Sequence, residues 1–494
     1  MKKLTLTLLA LTAASSMAQA QRPPRYENSE PLYHEAYRPQ YHYTKSQGWV
    51  GDPSGLLKYK GIYRGYGWGA ITSEDLVHWK ELNRHSIKNV PEEISTFTGS
   101  VLVDENNTAG YGKDVLLAAF TSFDKDSKKQ SQSIAFSRDG GDTFNYYDQN
   151  PVLDLWSTEF RDPTVFWDEN SGQWVMAVAK ALNKKVGFYG SPDMKTWTWL
   201  SDFGPMGDQE RSWECPDIFQ VSVDGDPNNK KWVLLVSVNW ADEQYFVGEW
   251  NGKEFIPDQP NYEPLYVDKG MDYYASRVFR DYDEPNGPVY TLGWVNTWDY
   301  AQQAPSKWGN GVWSLVREYR LKSTPDGLRL TQTPVAALEQ LRGKGVKFDS
   351  RLKSGVTPLK QVSAMDNCYE LEATFSTTKP DVCGFMLCEG DGRKLTVSYD
   401  TESQTLTVDR MNTSDVKIPK FDRVKYCKVA PENGELKLRI FVDKTTVEIF
   451  AGDGQTVMTN LTYAAPGQTG ASVFSLRGNT RLKMEAWPLA SIWD

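Results

Sequence analysis

Histidine and cysteine are scarce in this chain: four of the first and five of the second among 494 residues. His34, His42, His78 and His85 are scattered and form no metal-site pattern. Cys368, Cys383, Cys388 and Cys427 lie in the C-terminal part without zinc-like spacing, and Cys215 stands alone, so most are expected to be buried free thiols. Positive charge is not in excess either. With 55 Lys and Arg against 64 Asp and Glu the net charge is −9, which argues against nucleic acid or an anionic membrane as partner. A neutral polyol is indifferent to that charge. After the first twenty residues no stretch approaches the ~18 apolar residues that a spanning helix needs.

The N-terminus is a separate matter. Lys2 and Lys3 precede an apolar run from Leu4 to Ala14, and Ala18-Gln19-Ala20 has the small-x-small form of a cleavage site. Residues 1–20 are therefore expected to be a signal peptide, with a mature chain exported to the periplasm or the medium. The length exceeds what one hydrophobic core serves, so two domains are expected.

Aromatic residues are plentiful, with 18 Trp, 25 Tyr and 20 Phe. Three segments set a carboxylate beside an aromatic or a proline: Trp49-Val50-Gly51-Asp52-Pro53, Glu159-Phe160-Arg161-Asp162-Pro163 and Trp213-Glu214-Cys215-Pro216-Asp217. Carboxylates that meet across a sugar ring, with an Arg and Trp rings alongside, are the equipment of a glycoside hydrolase. Taken singly, an Asp before Pro is an ordinary turn residue. Three in series make an enzyme the better reading.

A repeat sets the architecture. Ser73-Glu74-Asp75, Ser137-Arg138-Asp139 and Ser191-Pro192-Asp193 each follow a short β-like run and lead to an aromatic, with a weaker echo at Trp250-Asn251-Gly252. Ser and Asp close such turns by bonding the backbone. A strand-rich unit recurring roughly every 55 to 65 residues suggests propeller blades, about five of them between Gln21 and Leu341. Pro334 to Leu341 is the best helix candidate. Beyond it, runs such as Leu436 to Val442 and Thr446 to Phe450 alternate as half-buried antiparallel strands do. The predicted order is a signal peptide (1–20), a propeller (21–340) and a β-sandwich (341–494).

These residues also carry a family resemblance. Trp49 to Gly55 resembles the W-x-N-D-P-N-G motif of glycoside hydrolase family 32, the group of invertases, inulinases and levanases. Phe97-Thr98-Gly99-Ser100 is similar to its F-S-G-S segment, and its R-D-P and E-C-P-D motifs stand unchanged at Arg161 to Pro163 and Glu214 to Asp217. Gly270 to Ala275 resembles G-x-D-x-Y-A, Gly293-Trp294 with Trp313 to Glu318 resembles the closing blade, and Arg439 to Phe450 resembles the family's sandwich. The resemblance implies an all-β fold, a five-bladed β-propeller followed by a C-terminal β-sandwich. It implies retaining hydrolysis of β-fructofuranosides in fructans or sucrose, with a fructose-containing oligo- or polysaccharide as partner and no metal or cofactor. Asp52 would be the nucleophile, Glu214 the acid and base, and Asp162 the transition-state stabiliser oriented by Arg161. Trp49 and Trp294 would be sugar platforms, with Phe97, Thr98 and Tyr274 lining the site.

The chain departs from the family in three places. Gly51 and Ser54 stand where the family has Asn, which removes amide groups expected to bind substrate or fix the nucleophile. After Ile62-Tyr63-Arg64 the chain passes through Gly65-Tyr66-Gly67 directly to Ala70-Ile71-Thr72, so most of one hairpin of the first blade is missing. A catalytically weakened fructan-binding protein and an arabinan- or xylan-acting five-bladed glycosidase are the alternative readings.

Overall fold

The computed structural model describes residues 30–67, 69–85, 87–258 and 263–493. The signal-peptide reading lies outside them. Five antiparallel meanders are arranged in sequence order. Their innermost strands are Leu57–Tyr59, Ile94–Asp104, Phe160–Asp168, Trp213–Val223 and Tyr274–Val278, which define blades I to V. Each blade runs outward from its innermost strand: blade III, for example, continues through Gln173–Lys180, Lys185–Ser191 and Thr198–Phe203.

Apolar faces between neighbouring blades hold the ring together. Leu57, Tyr59 and Ala70 of blade I meet Val101, Leu116 and Phe120 of blade II. Leu102, Leu117 and Ile134 of blade II meet Val165, Trp174 and Met176 of blade III. Phe166, Phe188 and Phe203 meet Trp213, Phe246 and Trp250 of blade IV, whose Phe219, Val233 and Leu235 in turn meet Val278, Tyr319 and Leu321 of blade V. Leu292 and Leu315 then pack against Tyr63 and Ile71, closing the circle. Truncating any of these large aromatics to alanine costs about 3–5 kcal/mol. Two parallel pairings also stitch the junction of blades V and I, Gly48–Trp49 with Gly309–Asn310 and Leu57–Tyr59 with Arg280–Asp281.

The Ser-x-Asp repeats are structurally equivalent. Ser73, Ser137 and Ser191 each end the third strand of their blade, and Asp75, Asp139 and Asp193 each accept backbone N–H groups of the turn that follows. In blade IV, Asn251 plays this part by accepting from Lys253 and Glu254. The missing hairpin leaves blade I with short strands of three to six residues, still paired as a four-stranded meander.

The helix expected at Pro334–Leu341 is a 3₁₀ segment, Ala336–Leu341. It is too short for α-helix propagation to stabilise it, and burial of Leu338 and Leu341 fixes it instead. Beyond it, two six-stranded antiparallel sheets face each other, one built around Tyr369–Ser376 and Glu435–Val442, the other around Val382–Gly390 and Arg393–Asp400. The alternation in Glu435–Val442 puts Leu436, Leu438 and Ile440 into the common core.

Buried ion pairs lock the sandwich to the propeller. Arg317 of blade V reaches Asp268 at 3.0 Å and Glu448 of the sandwich at 2.8 Å. His42 lies between Asp443 (2.8 Å) and Glu448 (3.1 Å), and Arg410 pairs with Asp272. Burial by itself would lower the His42 pKa, but its hydrogen bonds to the two carboxylates prevail and hold it at about 9. All five cysteines are free thiols, and Cys215, Cys383 and Cys388 are buried.

Candidate active site

Four blades bring side chains together between their innermost strands by one backbone device. Ladder register shifts between Thr96 and Gly99, Arg161 and Thr164, Glu214 and Asp217, and Tyr274 and Arg277, each near the start of an innermost strand. In blades III to V the residue after the first of these is left-handed without being glycine: Asp162 at φ 64°, Cys215 at 48° and Ala275 at 53°. Such bulges re-aim side chains, and the strain of about 1–3 kcal/mol at each persists only where the surroundings enforce it. In blade II the last residue of the shift is Gly99, where a Cβ would meet the Ala119 carbonyl oxygen at 2.1 Å.

Arg161, Glu214 and Tyr274 thus hold equivalent places on three consecutive blades, and they bond to one another. Arg161 donates from Nε (2.9 Å) and Nη2 (2.7 Å) to Glu214 Oε1. Tyr274 donates its hydroxyl to Glu214 Oε2 in a short hydrogen bond. Arg161 Nη1 reaches Glu159 at 2.6 Å and Gln130 Oε1 at 3.1 Å. Asp162 is buried with its Oδ2 3.8 Å from Arg161 Nε and 3.1 Å from the Cys215 N–H that donates to it. Burial pushes the Asp162 carboxyl up against the opposing pull of Arg161.

Asp52 enters from the loop before blade I. Thr98 donates to its Oδ2 at 2.9 Å, and the Cys215 thiol lies 3.8 Å from the same oxygen. Its Oδ1 is inaccessible and has no hydrogen-bond partner among the described residues. Burial, then the Asp162 charge, raises the Asp52 pKa to about 7; the Thr98 hydrogen bond opposes them, and Glu214 adds to the rise. One buried carboxylate oxygen without a partner, beside two further carboxylates, makes Asp52 a candidate reactive group.

The departures from the family pattern acquire a structural meaning. Ser54 fixes the Asp52 loop after all, accepting from the Gly99 N–H and donating to the Gly99 carbonyl, both at 3.0 Å. Trp313 Nε1 donates to the Gly51 carbonyl at 2.8 Å. A Cβ on Gly51 would sit 2.8 Å from Trp49 Nε1, so the absent side chain lets the Trp49 indole fold over the loop.

The other expected site residues are placed as follows. Trp49 is partly exposed and stacks on Trp298 at 5.9 Å and 19°. Trp294 does not present an open platform: it is 0% exposed, packed beneath Trp49 (5.7 Å) and Trp298 (4.9 Å). Phe97 is half-buried and stacks on Phe123 at 4.8 Å. Arg277, which has no motif to announce it, donates to the backbone carbonyls of both Asp162 and Pro216 and so ties two carboxylate-bearing bulges together. Gln130 and Thr121, whose hydroxyl accepts the Asp162 N–H at 2.9 Å, belong to the same support. Trp298 completes the indole cluster. Among the described residues no group of three or more His, Cys, Asp or Glu side chains is arranged to hold a metal ion.

Comparison with known proteins places the chain among relatives. Residues 42–334 match the family model described as glycosyl hydrolases family 32 N-terminal domain, and residues 337–488 match its C-terminal counterpart. A levanase of Bacillus subtilis (strain 168) is 36% identical over 490 residues, covering 93% of this chain and 72% of that protein. An extracellular exo-inulinase of Aspergillus awamori is 31% identical, over 94% of this chain and 96% of its own length. An invertase of Schizosaccharomyces pombe is 30% identical, over 94% and 87%. The crystal structure of exo-inulinase from Aspergillus awamori superposes with a TM-score of 0.85 at 30% identity, covering 93% of this chain and all of that one.

Proposed function

This chain belongs to glycosyl hydrolase family 32 and is a glycoside hydrolase acting on fructosides, and from that premise we propose that it cleaves β-D-fructofuranosidic bonds of fructans and sucrose by double displacement. The observation that carries the mechanism is the pairing of Asp52, whose Oδ1 is buried and uncommitted, with Glu214, whose two oxygens are held by Arg161 and Tyr274.

The Asp52 carboxylate attacks the anomeric carbon of a fructosyl unit. Protonated Glu214 gives its proton to the departing glycosidic oxygen as that bond breaks, leaving a fructosyl ester on Asp52. Glu214, now a carboxylate, takes a proton from water, and the hydroxide attacks the same carbon and releases Asp52. Asp162 accepts ring hydroxyls and faces the positive charge that develops on the sugar, while Arg161 keeps it oriented. Trp49, with Trp298, offers an apolar face to the sugar, and Phe97, Thr98 and Tyr274 complete the wall.

Export by residues 1–20 fits the extracellular description of the exo-inulinase relative, and the division between domains is placed near residue 340. The test is fructose release from levan, inulin and sucrose by the purified protein. Free fructose from at least one of them supports the reading. No fructose from any of the three, with affinity for a polymer retained, makes the protein a fructan-binding module. Arabinan cleavage exceeding fructan cleavage would move it to another substrate class.

A further inference from the structure

Trp156 is 83% exposed, the most exposed large hydrophobic side chain among the described residues, and its neighbour Leu155 is 44% exposed. Its backbone is left-handed at φ 56°, a conformation that bulky side chains rarely adopt. The ring is nonetheless held in place. Lys129 lies over it at 4.2 Å while bonding Asp154 at 2.8 Å, and Asp154 in turn accepts the Trp156 N–H at 2.7 Å. A strained, pinned and solvent-facing indole has no packing role to explain it.

Its position gives it one. The Leu153–Ser157 strand is the outermost of its part of blade II, and Ser157 pairs with Gln130. Gln130 stands at the catalytic end of the blade, where its side chain accepts from Arg161, the residue that holds Glu214. Between funnel and rim the top of blade II is aromatic: Thr98 touches Asp52, Phe97 stacks on Phe123, and Lys128 lies 5.7 Å from the Phe123 ring. Three strand spacings, ~15 Å, separate the innermost strand from Leu153–Ser157. A disaccharide in the funnel does not span that distance, and a polysaccharide does.

We propose that Trp156 is a stacking platform for the fructan chain, engaging sugar units beyond those held at the cleavage point. The inference rests on the fructan-hydrolase reading above. Its apolar ring face suits the C–H face of a neutral sugar, and the acidic net charge of the protein is no obstacle to such a ligand.

The test compares wild type with Trp156→Gly, which suits the left-handed backbone, and with Trp156→Phe. For high-mass levan or inulin, Trp156→Gly is expected to raise KM roughly 3- to 10-fold with kcat little changed, and Trp156→Phe to restore most of the loss. Sucrose kinetics should be unmoved by either. In gel electrophoresis through immobilised fructan, Asp52→Asn protein should be retarded, and the Asp52→Asn, Trp156→Gly double variant should run ahead of it. Unchanged polymer kinetics, or a parallel loss on sucrose and polymer, would overturn the assignment. If wild type hydrolyses sucrose but neither polymer, the platform is refuted while the fructosidase reading stands. If wild type releases fructose from nothing, both fall.

Discussion

Arg161 holds Glu214 by one oxygen: Nε and Nη2 both donate to Oε1, at 2.9 and 2.7 Å, and Oε2 is left to the Tyr274 hydroxyl. The fork of a guanidinium matches this geometry and an ammonium does not. Arg161→Lys is therefore expected to lower kcat by roughly 10²-fold or more while the fold persists. Circular dichroism with steady-state kinetics on sucrose checks both halves.

Glu214→Gln keeps the hydrogen-bonding shape but has no proton to deliver. Turnover of natural fructosides should fall by about 10²- to 10⁴-fold. A fructoside with an activated aryl leaving group needs less protonation, so its loss should be much smaller. Equal losses on both substrates would take Glu214 out of the acid role.

Asp52 is buried beside the Asp162 charge, and as the attacking group it must be ionised. With its pKa raised to about 7, Asp52 holds a proton below that pH in the free protein. An Asp52 that keeps its proton cannot attack, so kcat/KM is expected to fall on the acid side with an apparent pKa near 7. A pH–rate profile of kcat/KM on sucrose reads it directly.

The same residue opposes folding at neutral pH. A carboxyl whose pKa is raised from 3.8 to about 7 binds more protons folded than unfolded between those values, so its ionisation lowers stability as pH rises through that window. Asp52→Asn should abolish turnover yet raise the melting temperature at pH 7.5, with little change at pH 4. Melts at the two pH values decide this.

His42 also gives up stability as pH rises, but here the charged form is the one that stabilises. Its folded pKa of about 9 exceeds the ordinary 6.5, so its contribution is complete below pH 6.5 and disappears as pH rises through 9. The difference is worth on the order of 3 kcal/mol. Wild type should lose thermal stability between pH 7 and 10 more steeply than His42→Gln, with the sandwich loosening from the propeller.

Much of this was legible in the chain because short motifs carry backbone geometry with them. Arg161-Asp162-Pro163 and Glu214-Cys215-Pro216 read as catalytic, and the Ser-x-Asp turns marked the blades because their side chains bond their own backbone. Residues that act across blades gave no such signal. Arg277 reaches the Asp162 carbonyl from more than a hundred residues away, and Gln130 reaches Arg161 from the neighbouring blade. Ser54 reads as a lost amide, yet its hydroxyl anchors the nucleophile loop to Gly99. Trp294 carries a family motif, but burial beneath two other indoles decides its part.

The anomeric form of the first fructose released tests the pairing of Asp52 and Glu214 most directly. Early time points of sucrose hydrolysis followed by NMR should show β-fructofuranose before mutarotation, as two successive inversions at one carbon require. The α anomer appearing first would contradict an attack by Asp52 on the sugar.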